Sequence, residues 1–137
     1  MAITSSNRFT FPRRMRLSRG RQFMNVYEAK VRASIGPLLI YSRPNDVGFP
    51  RLGMAVPRAV GTAVRRNTIK RRIRESFRLL QHDWPADSRS YDLVISVRPH
   101  KPLPQAEYRQ ALERAMSTIV AAWKKKSARP TPRGQGE

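Results

Sequence analysis

Cysteine is absent from the 137 residues, which excludes disulfide frameworks and thiolate metal sites. Acidic residues are scarce, with 9 Asp and Glu against 28 Lys and Arg. Histidine occurs only as His82 and His100. No apolar run approaches the roughly 20 residues of a membrane-spanning helix. Residues 1–16 lack the apolar core of a secretory signal; their Arg-rich, acid-free composition also matches an organellar transit peptide. A cysteine-free chain fits a reducing compartment, so we expect a cytoplasmic protein with no membrane partner.

These shortages also limit catalysis. Acid–base cleavage of a phosphodiester needs two histidines, or a histidine and a carboxylate, placed together. His82 follows an expected helix and His100 an expected strand, in different loops. Two-metal chemistry needs clustered carboxylates, but Asp83, Asp87 and Asp92 are scattered through a loop and a strand start. Ser76 and Ser96 have no visible base. Gly61 precedes a helix, yet no phosphate-loop pattern surrounds it. We therefore expect no catalytic side chain, no metal ligand set and no cofactor bound by the protein itself.

What the sequence has is positive charge, +19 with a pI near 11.8. Solubility alone asks for a net charge of only about 2–8. A polyanion is the natural partner, because neutralising phosphates releases condensed counterions.

Residues 1–15 read as a flexible basic arm, 16–125 as one domain and 126–137 as a disordered basic tail. Within the domain, Ser18 is positioned to cap a helix to about Lys30, with Phe23, Val26 and Tyr27 on one face. Residues 35–43 and 51–56 read as strands, joined by the turn residues 44–48 into an antiparallel pair. A helix over 63–80 follows, with Thr62 as N-cap. Residues 91–97 form the most apolar strand, buried on both faces. A last helix carries Tyr108, Leu112, Met116, Ile119, Val120 and Trp123 as one stripe, and Lys124 to Lys126 complement its C-terminal dipole. This order implies an α+β fold, a two-layer α/β sandwich with one small sheet.

The 63–80 helix is the most informative segment. At 100° per residue, Ile69, Ile73, Phe77 and Leu80 share one face. Asn67, Lys70, Arg71, Arg74 and Arg78 share the opposite arc. Solvated helix faces usually alternate Glu with Lys for mutual support; this arc has almost no acid, so its cations only repel one another. A fixed row of guanidinium groups can fork onto successive phosphate oxygens. Arg65 and Arg66 stand in the first turn, where backbone N–H groups also favour an anion.

The run Gly61-Thr62-Ala63-Val64-Arg65-Arg66-Asn67-Thr68-Ile69-Lys70-Arg71-Arg72-Ile73-Arg74-Glu75-Ser76-Phe77 resembles the signature of the bacterial ribonuclease P protein family, roughly G-N-A-V-x-R-N-R-x-K-R-x-x-R-E-x-F. Arg16-Leu17 and Phe23…Val26-Tyr27 resemble its opening, and Leu52 to Val56 and Tyr91 to Ile95 resemble two of its strands. The likeness extends over about Arg13 to Trp123. Thr68 replaces a usual Arg, which removes one expected phosphate contact. Thr62 stands where Asn is usual, and Pro57-Arg58-Ala59 replaces a more Lys-rich stretch.

The resemblance implies a small mixed sheet with a left-handed βαβ crossover, where general rules favour a right-handed one. It implies an endoribonuclease complex that removes the 5′ leader from precursor tRNA, with catalysis by an RNA subunit that requires Mg²⁺. It implies one protein per ribonuclease P RNA. The implied RNA-binding set is Arg58, Arg65, Arg66, Asn67, Lys70, Arg71, Arg74 and Arg78. A second cleft, matching Phe23, Tyr27 and Tyr41, is implied to hold the single-stranded leader by stacking. From spacing alone, Phe23 and Tyr27 read equally as core residues at i,i+4. Other readings of a small basic chain are a ribosomal or ribosome-assembly protein, and a duplex-DNA binder with its helix in the major groove.

Overall fold

A computed structural model describes residues 13–18, 20–80 and 90–128. The expected arm up to residue 12, the tail from 129, and the loop 81–89 with His82, Asp83 and Asp87 lie outside the described residues. The elements run α1 (Gly20–Glu28), β1 (Val31–Ile35), β2 (Leu38–Pro44), β3 (Arg51–Ala55), α2 (Ala63–Leu80), β4 (Tyr91–Val97) and α3 (Gln105–Ala128), with short 3-10 turns at Arg13–Met15 and Arg58–Val60. Two expected boundaries shift. Part of the arm forms the first 3-10 turn, and α3 continues to Ala128, past the expected start of the tail.

The strands form one mixed sheet in the order β1-β2-β4-β3. β4 pairs antiparallel with β2 and parallel with β3, so β3, α2 and β4 make a βαβ crossover. The expected antiparallel pairing of 35–43 with 51–56 is therefore wrong. β4, the strand most deeply buried on both faces, occupies the centre and separates them. The true hairpin partner of β2 is β1, through the turn at Gly36, whose φ of 56° is strained for any side chain. β1 is an additional strand, with Val31 and Ala33 inward and Arg32 and Ser34 outward. Lys30, at φ 64°, makes the left-handed reversal from α1 into it.

The pleat sorts the side chains onto two faces. Leu38, Ile40, Leu52, Leu93 and Ile95 face α2 and α3, and join Ile69, Ile73, Phe77, Leu80, Tyr108, Leu112, Met116 and Ile119 in the main core. Fully burying a side chain such as Ile73 or Phe77 stabilises the fold by about 1.5–3 kcal/mol. The other face carries a smaller cluster in which Val26 of α1 meets Val94 of β4 and Leu17. Leu17 is tied down because its N–H donates to the Leu52 carbonyl at 2.8 Å, along the outer edge of β3.

Candidate nucleic-acid interface

α2 begins where Thr62 Oγ1 accepts the Arg65 N–H at 3.2 Å, the expected N-cap. Before it, Gly61 sits at φ 152°, and a Cβ there would come within 2.6 Å of Arg65 Cδ. The Arg65 stem thus lies against the Gly61 backbone. Arg66 Nε donates to the Gly61 carbonyl at 3.2 Å, a bond that leaves its two Nη groups uncommitted to that carbonyl. Arg58 is exposed on the 3-10 turn just upstream, outside α2.

The cations of α2 divide by where they point. Arg72 turns toward α3: its Nη1 donates to the Leu103 carbonyl at 2.7 Å. Ser76 on the same side donates to the Arg72 carbonyl at 2.8 Å and approaches the Gln105 carbonyl at 3.3 Å. Arg78 is held by Glu75, Nη2 to Oε1 at 2.5 Å, a half-buried pair three residues apart on the same helix. Thr68, the departure from the family pattern, donates to the Val64 carbonyl at 3.0 Å, so its hydroxyl is directed back onto its own helix. Asn67, Lys70, Arg71 and Arg74 remain, on the outer arc and on the flank away from α3. None forms a hydrogen bond or ion pair with a described residue. Val64, 77% exposed, stands in the first turn of α2 at the edge of this arc, on the Arg71 side.

On the opposite face of the sheet, the structure brings Phe23, Tyr27 and Tyr41 together. Phe23 and Tyr27 meet edge to face with centroids 6.5 Å apart, and Tyr27 meets Tyr41 at 4.7 Å. All three are half-buried around Val26 and Val94, so they line the small core and also present ring surface to solvent. Burial, and then the neighbouring Tyr41, raise the Tyr27 phenol above its ordinary 10.0. Two features escaped the sequence reading. Arg32 on β1 lies 5.9 Å over the Tyr41 ring, a cation–π contact. Gly53 on β3 is the floor under Phe23: a Cβ there would lie 2.7 Å from Phe23 Cζ and 3.0 Å from Leu17 Cβ.

The remaining polar clusters are internally satisfied. Asp92 receives Arg51 Nε at 2.7 Å and Nη2 at 2.8 Å, and Asn45 Nδ2 at 2.9 Å. The hydrogen bond to Asp92 holds the Arg51 guanidinium still more firmly protonated. His100 Nδ1 faces the Arg98 carbonyl at 2.8 Å, so it carries the proton, and Nε2 accepts the Tyr108 hydroxyl at 2.8 Å. Among the described residues, no group of three or more His, Asp or Glu is arranged to hold a metal ion. No described helix is long and apolar enough to cross a membrane.

Comparison with known proteins bears on this geometry. A family model described as Ribonuclease P matches residues 11–120. The chain is 46% identical over 93 residues to the ribonuclease P protein component of Photobacterium profundum, across 67% of this chain and 75% of the relative. It is 41% identical over 92 residues to that of Photorhabdus laumondii subsp. laumondii, across 66% and 74%. The solved RNase P protein of Staphylococcus aureus superposes with a TM-score of 0.63 at 25% identity, covering 77% of this chain and 97% of that one. The RNase P protein of Thermotoga maritima gives 0.54 at 26% identity, covering 80% and 92%.

Proposed function

The chain belongs to the ribonuclease P protein family, and from that premise we propose how its two surfaces serve the maturation of tRNA 5′ ends. As a ribonuclease P protein component it takes part in tRNA 5′ processing, with a ribonuclease P RNA as partner. In our reading, phosphodiester hydrolysis belongs to that RNA and to the Mg²⁺ it binds. The protein contributes binding and charge, one copy per RNA, in the cytoplasm.

The outer arc and free flank of α2 grip the RNA subunit. Asn67, Lys70, Arg71 and Arg74 are the observation that carries this reading, since they are held on a rigid helix without partners among the described residues. Arg66, oriented by the Gly61 carbonyl, adds a guanidinium edge, and Arg58 and Arg65 extend the patch toward β3. Neutralised phosphates repel one another less, so the RNA needs less Mg²⁺ to reach its active shape.

Phe23, Tyr27 and Tyr41 receive the single-stranded 5′ leader. Rings stack on any base, so this cleft tolerates varied leader sequences. Contact with the leader raises affinity for precursor over product, because product has lost the leader.

The test is cleavage of precursor tRNA by the cognate ribonuclease P RNA at low Mg²⁺, with and without the protein. Strong stimulation is expected, with no cleavage by protein alone. Tight RNA binding without stimulation would overturn the reading and return the chain to a ribosome-assembly role.

A further inference from the structure

We propose that a second RNA-contacting surface wraps the β1 edge of the sheet and takes the distal part of a single-stranded 5′ leader after it leaves the aromatic cleft. This rests on the leader reading above.

The aromatic strip has a direction. It runs from Phe23, seated on Gly53 of β3, through Tyr27 to Tyr41 of β2, and ends under Arg32 on the edge strand β1. From β3 to β1 it crosses three inter-strand spacings, about 14 Å. That length holds about four nucleotides at the 3.4 Å rise of a stacked strand. A longer leader must therefore pass over the β1 edge.

At that place the other face of the sheet supplies more cations. Arg32 pairs with Tyr41, and the next pair along the ladder is Val31 with Ser42. The Ser42 hydroxyl donates to the Val31 carbonyl at 3.0 Å and accepts the Trp123 indole N–H at 2.9 Å. This chain of bonds fixes the C-terminal part of α3 beneath the start of β1. One helical turn on, Lys126 Nζ lies 5.2 Å over the Trp123 ring, and Lys125 beside it is exposed. No ion pair joins Arg32, Lys125 or Lys126 to a described acid. α2 meets α3 through the Arg72 side, and its other cations lie on the outer arc and the flank away from α3, so the lysines at the end of α3 belong to a separate surface. Lysines that merely offset a helix dipole, or an arginine that merely guards an open edge, need not converge on one end of one strand.

The experiment compares wild type with a double variant, Lys125→Ala and Lys126→Ala, which leaves Arg32 and the cleft intact, in the holoenzyme reconstituted with the cognate RNA. Precursors carry leaders from about two to about 20 nucleotides, bracketing the cleft. For leaders that end inside the cleft, the variant should bind as wild type does. For long leaders it should bind about fivefold more weakly, with a salt slope shallower by about 1.4, two contacts at roughly 0.7 each. Equal loss at every leader length would assign these cations to the RNA subunit or the tRNA body and overturn the proposal. No loss at any length, while wild type gains affinity as the leader grows, would overturn this surface alone. No gain with leader length in wild type would overturn the leader reading itself.

Discussion

Arg71 and Arg72 are chemically identical neighbours, and the structure assigns them opposite consequences on substitution by alanine. Arg71 is exposed on the outer arc of α2 and touches no described acid. Arg72 lies 100° further round, with Nη1 donating to the Leu103 carbonyl at 2.7 Å in the Pro-rich segment that leads into α3. Arg72→Ala removes a charged hydrogen bond between two packed elements, worth about 1.5–3 kcal/mol of stability. Arg71→Ala, a surface change, should stay within about 0.5 kcal/mol. Binding to the RNA subunit reverses the order. Losing one phosphate contact lowers the salt slope by about 0.7–0.9, which is roughly a threefold flattening over a fourfold rise in salt. Arg72→Ala should leave the slope unchanged wherever the variant is folded. Urea unfolding of the free protein and filter binding to the RNA at several salt concentrations measure both. If Arg72→Ala flattens the salt dependence as much as Arg71→Ala, the orientation of α2 is wrong. If Arg71→Ala leaves it untouched, the arc is not the RNA contact.

Two further outcomes follow from the other face and from α3. Gly53→Ala forces a methyl to 2.7 Å from Phe23 Cζ. It should cost about 1–3 kcal/mol by overpacking. By displacing one stacking ring it should also reduce leader-dependent affinity roughly tenfold or more, with RNA-subunit affinity unchanged; an intact leader effect would detach Phe23 from the leader. Tyr108 is fully buried, and burial raises its phenol above 10.0, opposed by the Leu103 N–H it accepts. Folding thus favours the neutral form: stability is complete below the unfolded value and declines as pH rises through the folded one. Urea midpoints from pH 8 to 11, with Tyr108→Phe as control, should show this alkaline decline in wild type and a smaller one in the variant (pH range set by ordinary phenol ionisation, about 10).

Much of this was legible because burial and period coincide. In α2, four apolar residues at helical spacing fixed which face is buried, and Ile69, Ile73, Phe77 and Leu80 are all at most 1% exposed. β4 was legible from its continuous apolar run. β1 was not, because Ala33 and Ser34 are weak strand formers and a single left-handed residue, Lys30, separates it from α1. Strand order was also hidden: the turn between β2 and β3 looks like a hairpin loop, and only the greater burial of β4 moves it between them. Arg72 was set apart from the arc by its angle, but its partner, the Leu103 carbonyl, is 31 residues away and no local pattern announces it. The roles of Phe23 and Tyr27 were divided between core and cleft. Their half-burial explains why: each ring packs on Val26 and Val94 with one side and faces solvent with the other.

The sheet separates the two surfaces, and this constrains how RNA is engaged. The cations of α2 lie on the face that carries the main core, and the aromatic strip lies on the other. A single straight segment of RNA cannot touch both. If both surfaces bind RNA as proposed, two segments are needed, one on each face, and the two surfaces come closest at the β3 side, where Gly53 seats Phe23 and the chain leaves Ala55 to enter α2 through Arg58, Arg65 and Arg66. That edge is also where Leu17 is bonded to Leu52, which closes part of the open strand against stray pairing. Under the proposed function, a leader that enters the strip beside α2 leaves it toward β1. On that reading, the order of contacts along the leader would be set by the strand order of the sheet, with Phe23 nearest α2 and Arg32 farthest from it.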